Sequence, residues 1–181
     1  RARVTEIFSS LQGEGLYVGQ RQIFVRLSGC PWRCRYCDTP GSLAHEGHSA
    51  FTVDEVLQKI NDLQTERSHA AVSVTGGEPL LQSEFLAALL PAVQALGLRT
   101  YLETSATHPD RFRPLVPFCD VVAADIKLPS AIGRALWAEH EEFLRLAGDK
   151  AFVKIVLTDQ TTDDEFETAV NLLSRLTPPP P

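Results

Sequence analysis

Apolar, β-branched runs recur along the chain at residues 22–27 (QIFVRL), 71–75 (AVSVT), 99–103 (RTYLE), 120–126 (DVVAADI) and 151–157 (AFVKIVL). Short runs of this composition predict buried parallel strands. Between them the apolar positions take a helical period. One helix is expected over 53–64, entered through a capping box of Thr52 with Glu55, and one over about 83–96, closed by Gly97. A third is expected over about 133–146, closed by Gly148, and a fourth over about 163–176, entered through Thr162 with Glu165 and stopped by the prolines at 178–181. Prolines at 109, 114 and 117 leave room for a short helix at most within 104–119. The segment 4–8 (VTEIF) reads as an additional strand or a covering arm. Repeated strand–helix units imply right-handed crossovers and a parallel sheet with ligands at the carboxyl ends of its strands. The expected fold is therefore α/β, a partial (β/α)6-type TIM-like barrel, with an open doubly wound sheet as the alternative that periodicity cannot separate from it.

Composition narrows the class of protein. A chain of 181 residues, 44% apolar, can bury one substantial core, so residues 1–181 are read as a single domain. A formal net charge of -6 with no basic block argues against a nucleic acid or an anionic membrane as partner, and no apolar run is long enough to span a bilayer. Four cysteines without a signal peptide suit a reducing cytoplasm rather than a disulfide framework. The chain begins at Arg1 and contains no methionine, which reads as a processed N-terminus.

Three of those cysteines, Cys30, Cys34 and Cys37, fall in the run GCPWRCRYCDT. A single loop with this spacing can place three thiolates on different irons of one cluster, and four-cysteine sites need a further ligand. The remaining cysteine, Cys119, lies in the apolar stretch PFCDVV, where a buried thiol is the ordinary outcome, so one iron would lack a protein ligand. A Cys₃His zinc site completed by His45 or His48 is the bland alternative. After the second apolar run come Gly76 and Gly77 in TGGEP, where paired glycines allow close backbone approach to a ligand. After the third come Glu103, Thr104 and Ser105, and after the fourth Asp125, Ile126 and Lys127. Polar groups there suit a ribose, a carboxylate or a proton relay, or else a Glu103–Lys127 salt bridge at the rim. Thr158 and Asp159 hold the corresponding place after the fifth run, where local turn bonds are the alternative.

The cysteine spacing followed by GGEP resembles the radical S-adenosylmethionine enzymes. That resemblance implies a [4Fe-4S] cluster on Cys30, Cys34 and Cys37, whose open iron binds S-adenosylmethionine and passes the electron that yields a 5'-deoxyadenosyl radical. It implies cofactor contacts at Tyr36, Gly76, Gly77, Glu103, Ser105, Asp125, Lys127 and Asp159. The runs EIFSSLQGEG, FVRLSGC and CRYCDT narrow the likeness further, to the 7-carboxy-7-deazaguanine synthases. These contract the ring of 6-carboxy-5,6,7,8-tetrahydropterin with loss of ammonia, in the route to queuosine and related deazapurines. Gln12 and the backbone of Leu11 and Gly13 match a pterin edge, and Arg26, a charge within an apolar strand, matches a substrate carboxylate unless Glu6, Glu14 or Asp38 pairs with it. The resemblance adds Thr75 as a pterin contact, Mg²⁺ on Thr39, a reducing flavodoxin- or ferredoxin-like electron donor and a homodimer. It also implies a sixth strand and a closing segment beyond residue 181. A glycyl-radical-enzyme activase, similar in its cluster motif, and the zinc-bound domain are the rival readings.

Overall fold

The computed structural model describes residues 1–177 and 179–181, so Pro178, where the expected proline stop begins, lies outside the described residues. Among the described residues seven strands form one sheet in the order β3-β1-β2-β4-β5-β6-β7. They are β1 (Ala2–Leu11), β2 (Arg21–Leu27), β3 (Ser49–Phe51), β4 (Ala71–Gly76), β5 (Arg99–Thr104), β6 (Val121–Ile126) and β7 (Ala151–Ile155). From β2 through β4, β5, β6 and β7 every pairing is parallel, and these are the five expected strands. The segment expected as strand or arm is a ten-residue strand. It runs antiparallel to β2, from Val4 opposite Leu27 to Leu11 opposite Arg21, and its start pairs with the short β3.

Helices α1 (Val53–Glu66), α2 (Ser83–Ala95), α5 (Trp137–Ala147) and α6 (Asp163–Ser174) fall close to the expected ranges, and both capping boxes are formed. The third predicted helix starts later than expected. Pro129 opens a four-residue helix, α4 (Pro129–Ile132), which stops at Gly133 with φ 79, and α5 begins only at Trp137. Within 104–119 there is one short helix, α3 (Pro109–Phe112), followed by a 3-10 stretch to Phe118.

The two faces of the sheet differ, which separates a partial barrel from a doubly wound sheet. Alternate strand residues such as Ile23, Val25, Val72, Val74, Leu102, Val122 and Ala124 pack with helix residues such as Ile60, Leu86, Leu89, Phe143 and Leu172 into one large core. The opposite face carries a small cluster of Ala71, Tyr101, Val121, Ala123 and Phe152, with Tyr17 of a 3-10 turn packed against it and no α-helix residue among them. Helices thus cover the outer face only, and the inner face is left for polar groups and ligands. The barrel stays open between β3 and β7. At that open edge Val153 donates its N–H to the carbonyl of Pro181 at 2.9 Å.

Candidate active site

The inner face opens into a cleft of about 690 Å³, inside the size range of small-molecule sites. Its lining gathers residues from the inward ends of successive strands: Leu11, Gln12 and Gly13 from the end of β1; Arg26 from β2; Cys30, Cys34, Tyr36, Cys37 and Thr39 from the loop after β2; Thr75, Gly76 and Gly77 from β4 and its turn; Glu103 and Ser105 from the end of β5; Asp125 and Lys127 from the end of β6. Asp159 is the one candidate that does not arrive. It is exposed, beyond β7, and its neighbour Thr158 makes only the local turn bonds to Gln160 and Thr161. Ile155 and Val156 line the cleft in its place, with Lys154, which sequence reading missed.

Because β1 runs antiparallel to β2, its end lies at the opposite end of the barrel from the cysteine loop. Gln12 therefore enters from below and forms a floor. Its side-chain N–H₂ donates to Glu103 at 2.8 Å, and Glu103 also accepts from Ser73 Oγ at 3.2 Å and Thr75 Oγ1 at 2.9 Å. Glu103 thus groups with Gln12 and Thr75, and the alternative of a rim bridge to Lys127 is not what forms. The loop holding Gln12 is drawn across the cleft by an ion pair of Glu14 with Lys154 on β7. Gly15, at φ 69, lies against the Phe152 ring, where a Cβ would sit 2.5 Å from a ring carbon.

Arg26 is paired, as one of its readings required: Nε donates to Glu6 at 2.7 Å. Its terminal nitrogens make no hydrogen bond among the described residues, so the outer fork of the guanidinium remains available. Lys127 pairs with Asp125 at 2.9 Å and donates to the Tyr36 hydroxyl at 3.3 Å. Burial disfavours the ammonium, but Asp125 and the neighbouring Tyr36 outweigh it and hold Lys127 above its ordinary range, so it carries its charge. Burial pushes the Tyr36 hydroxyl up to about 12, which keeps it a neutral phenol. The other carboxylate oxygen of Asp125, Oδ1, is buried without a partner, an acceptor that favours a ligand donor.

The three cysteine thiols are free and half-buried, and burial raises Cys30 to about 11 and also raises Cys34. Cys119 is free and fully buried, as expected. Among the described residues no three His, Cys, Asp or Glu side chains gather around one point as ligands of a single ion would. His45 contacts Ser28 Oγ and packs on Gly29, and His48 bonds the carbonyl of Gly41.

Gly76 and Gly77, which line the cleft, also serve packing. A Cβ on Gly76 would lie 2.0 Å from the Leu27 carbonyl oxygen, and one on Gly77 2.3 Å from that of Gly29. The glycines let the GGEP turn press against the start of the cysteine loop, with the N–H groups of Gly77 and Glu78 donating to Leu27 and Gly29 carbonyls at 3.0 and 2.8 Å. Glu78, Trp32 and Thr107 also escaped notice: a buried carboxylate, an indole and a hydroxyl link this turn to the end of β5.

The chain is similar to known proteins over most of its length. The profile of the Radical SAM superfamily matches residues 24–173. Proteins named 7-carboxy-7-deazaguanine synthase from Geobacter sulfurreducens and Methanopyrus kandleri are 35% and 37% identical, each alignment covering 96% of this chain and 76% of the relative. The crystal structure of QueE from Escherichia coli aligns with a TM-score of 0.69 at 26% identity, over 97% of this chain and 79% of that one. TYW1, solved with a lysine-pyruvate adduct bound, shares the fold at 12% identity and a TM-score of 0.53.

Proposed function

Because the chain belongs to the 7-carboxy-7-deazaguanine synthases of the radical S-adenosylmethionine superfamily, we propose that its cleft converts 6-carboxy-5,6,7,8-tetrahydropterin to 7-carboxy-7-deazaguanine with loss of ammonia. The observation that carries the proposal is the convergence, in one cleft, of three free cysteines at the rim with a polar floor of Gln12, Thr75 and Glu103 and a half-free Arg26 on the wall.

Cys30, Cys34 and Cys37 would hold a [4Fe-4S] cluster. All three thiols are free and line the cleft from one loop, as ligands to different irons of one cluster would. When bound, the cluster and S-adenosylmethionine together supply a hydrogen-abstracting radical. The chain's own task is to place and shield the reactants. The Tyr36 ring offers a face to the adenine, and Asp125 Oδ1 accepts a ribose hydroxyl, which satisfies its orphaned position. Lys127 stands beside it as a donor, and the Ser105 hydroxyl, whose proton goes to Glu78, offers an acceptor. With the Gly77 N–H spent on Leu27, the carbonyl side of the GGEP turn is left to meet an ammonium.

Substrate would lie deeper. A pterin presents amide and amino donors, which a carboxylate acceptor satisfies better than an amide, so Glu103 reads that edge beside Gln12 and Thr75. The free fork of Arg26 takes the substrate carboxylate. Mg²⁺ on Thr39, keeping most of its waters, would need few protein ligands at the cleft wall. The closed polar floor suits a small molecule rather than the backbone glycine of a partner protein. The four free thiols favour the cytoplasm, with a flavodoxin- or ferredoxin-like donor, and the exposed Leu16 and Val18 offer a face for a second copy.

The test is anaerobic reconstitution followed by incubation with S-adenosylmethionine, a reductant and the tetrahydropterin. Appearance of 7-carboxy-7-deazaguanine, abolished by Cys34→Ala, supports the proposal. Cofactor cleavage with no turnover of the pterin overturns the substrate assignment.

A further inference from the structure

Trp32 lies between Cys30 and Cys34, and its indole N–H donates to Ser105 Oγ at 3.2 Å and to Thr107 Oγ1 at 3.3 Å. Ser105 spends its own hydroxyl proton on Glu78, so toward the indole it can only accept. Glu78 is 1% exposed and takes three more donors: the Ser105 N–H at 2.8 Å, the Thr104 hydroxyl at 2.8 Å and the Leu80 N–H at 3.0 Å. A directed chain thus runs from the cysteine loop through Trp32 and Ser105 to the GGEP turn. The Glu78 N–H closes the circle by donating to Gly29, at the root of the same loop.

The loop at the end of β5 needs such support. Ala106, between Ser105 and Thr107, sits at φ 53, the one non-glycine residue in the left-handed region among those described. That conformation costs a side-chain-bearing residue roughly 1–2 kcal/mol and persists only where its surroundings impose it. Here a bond from its N–H to Thr104 Oγ1 and complete burial impose it. The Trp32 ring is itself held, edge-on to His108 and beneath the Arg134 guanidinium at 5.9 Å.

We propose that Trp32 is a positioning residue that locks the Cys30–Cys34 segment to the strand end bearing Ser105, so that the cluster loop and the cofactor-binding rim hold one register before any ligand enters. The inference deepens the reading of the cleft given above and rests on it for the roles of the two elements joined.

Trp32→Phe keeps the ring and removes the N–H, and Ser105→Ala removes the nearer of its two acceptors together with the link to Glu78, leaving Thr107. The first measurement is amide hydrogen exchange on the metal-free protein. Loss of a hydrogen bond of ordinary net strength predicts exchange roughly three- to ten-fold faster at 103–108 in Trp32→Phe and at 28–44 in Ser105→Ala, with little added in the double variant. Should Trp32→Phe misfold, Ser105→Ala alone carries this comparison. The second measurement uses the reconstituted enzyme: Trp32→Phe should keep wild-type iron content and cluster spectrum while the KM for S-adenosylmethionine rises several-fold more than kcat falls. Exchange at both segments unchanged in the variants overturns the latch. A wild-type enzyme that fails to cleave S-adenosylmethionine overturns the reading of the cleft instead, and the exchange data then judge the latch separately.

Discussion

Arg26 illustrates how one residue serves fold and chemistry together. Glu6 neutralises it through Nε and Phe8 flanks it, 5.7 Å from its guanidinium carbon, yet its terminal fork stays free. A planar bidentate donor is not replaced by an ammonium. Arg26→Lys is therefore expected to lower kcat/KM for the pterin roughly 10- to 150-fold, the span of a charge-assisted hydrogen bond, with the KM for S-adenosylmethionine unchanged. Steady-state kinetics against each substrate separates the two. His140 gives a prediction of a different kind. It is fully buried on α5, and its Nε2 accepts the backbone N–H of Lys127 at 3.2 Å, which fixes the turn that aims Lys127 at Asp125. Burial lowers its pKa from 6.5 to about 4. The unfolded chain therefore binds a proton below about 6.5 that the folded chain refuses until about 4, so this contribution to stability is complete above the first value and declines as pH falls toward the second. Urea midpoints between pH 7 and pH 4.5 should fall for the wild type, and His140→Phe should be less stable at pH 7 but show a shallower decline.

At the scale of elements, the strap formed by residues 12–17 decides the shape of the pocket. The Glu14–Lys154 pair is partly exposed and should contribute at most about 1 kcal/mol to stability, so Lys154→Met is expected to fold normally while raising the KM for the pterin. Gly15→Ala meets both a left-handed backbone and the Phe152 ring, and should cost roughly 1–3 kcal/mol, read as a lower melting temperature. Thr162→Ala, which opens the capping box of α6, should cost about 1 kcal/mol with activity intact. Elements built on local signals were legible in advance: both capping boxes, the glycine stop at 97 and the five parallel strands stand where the pattern places them. Those that depend on distant partners were not. The three residues of β3 form a strand only because β1 lies beside them, and Pro129 with Gly133 marked the start and stop of one short turn that reads equally well as the approach to a longer helix.

For the whole molecule, the functional logic lies in which face of the sheet is covered. Helices bury the outer face, and alternate residues such as Arg26, Thr75, Glu103, Asp125 and Lys154 are thereby turned inward along the cleft. Proximity in sequence announced the cysteines, the GGEP turn and the polar strand ends. The floor made by Gln12 and Glu103, 91 residues apart, depends on β1 running antiparallel, which no local pattern encodes. For the same reason the hydrogen bonds of Glu103, a strand-end residue expected beside the cofactor, to Gln12 and Thr75 were not legible in advance. On the proposed function, this cleft places the substrate next to S-adenosylmethionine for removal of one hydrogen. The most direct measurement is mass spectrometry of 5'-deoxyadenosine and S-adenosylmethionine after anaerobic turnover with the tetrahydropterin deuterated at C6. Deuterium entering the adenosyl group during product formation is the predicted result. Product formed from labelled substrate with no deuterium in either adenosyl species would rule out hydrogen transfer to the adenosyl radical.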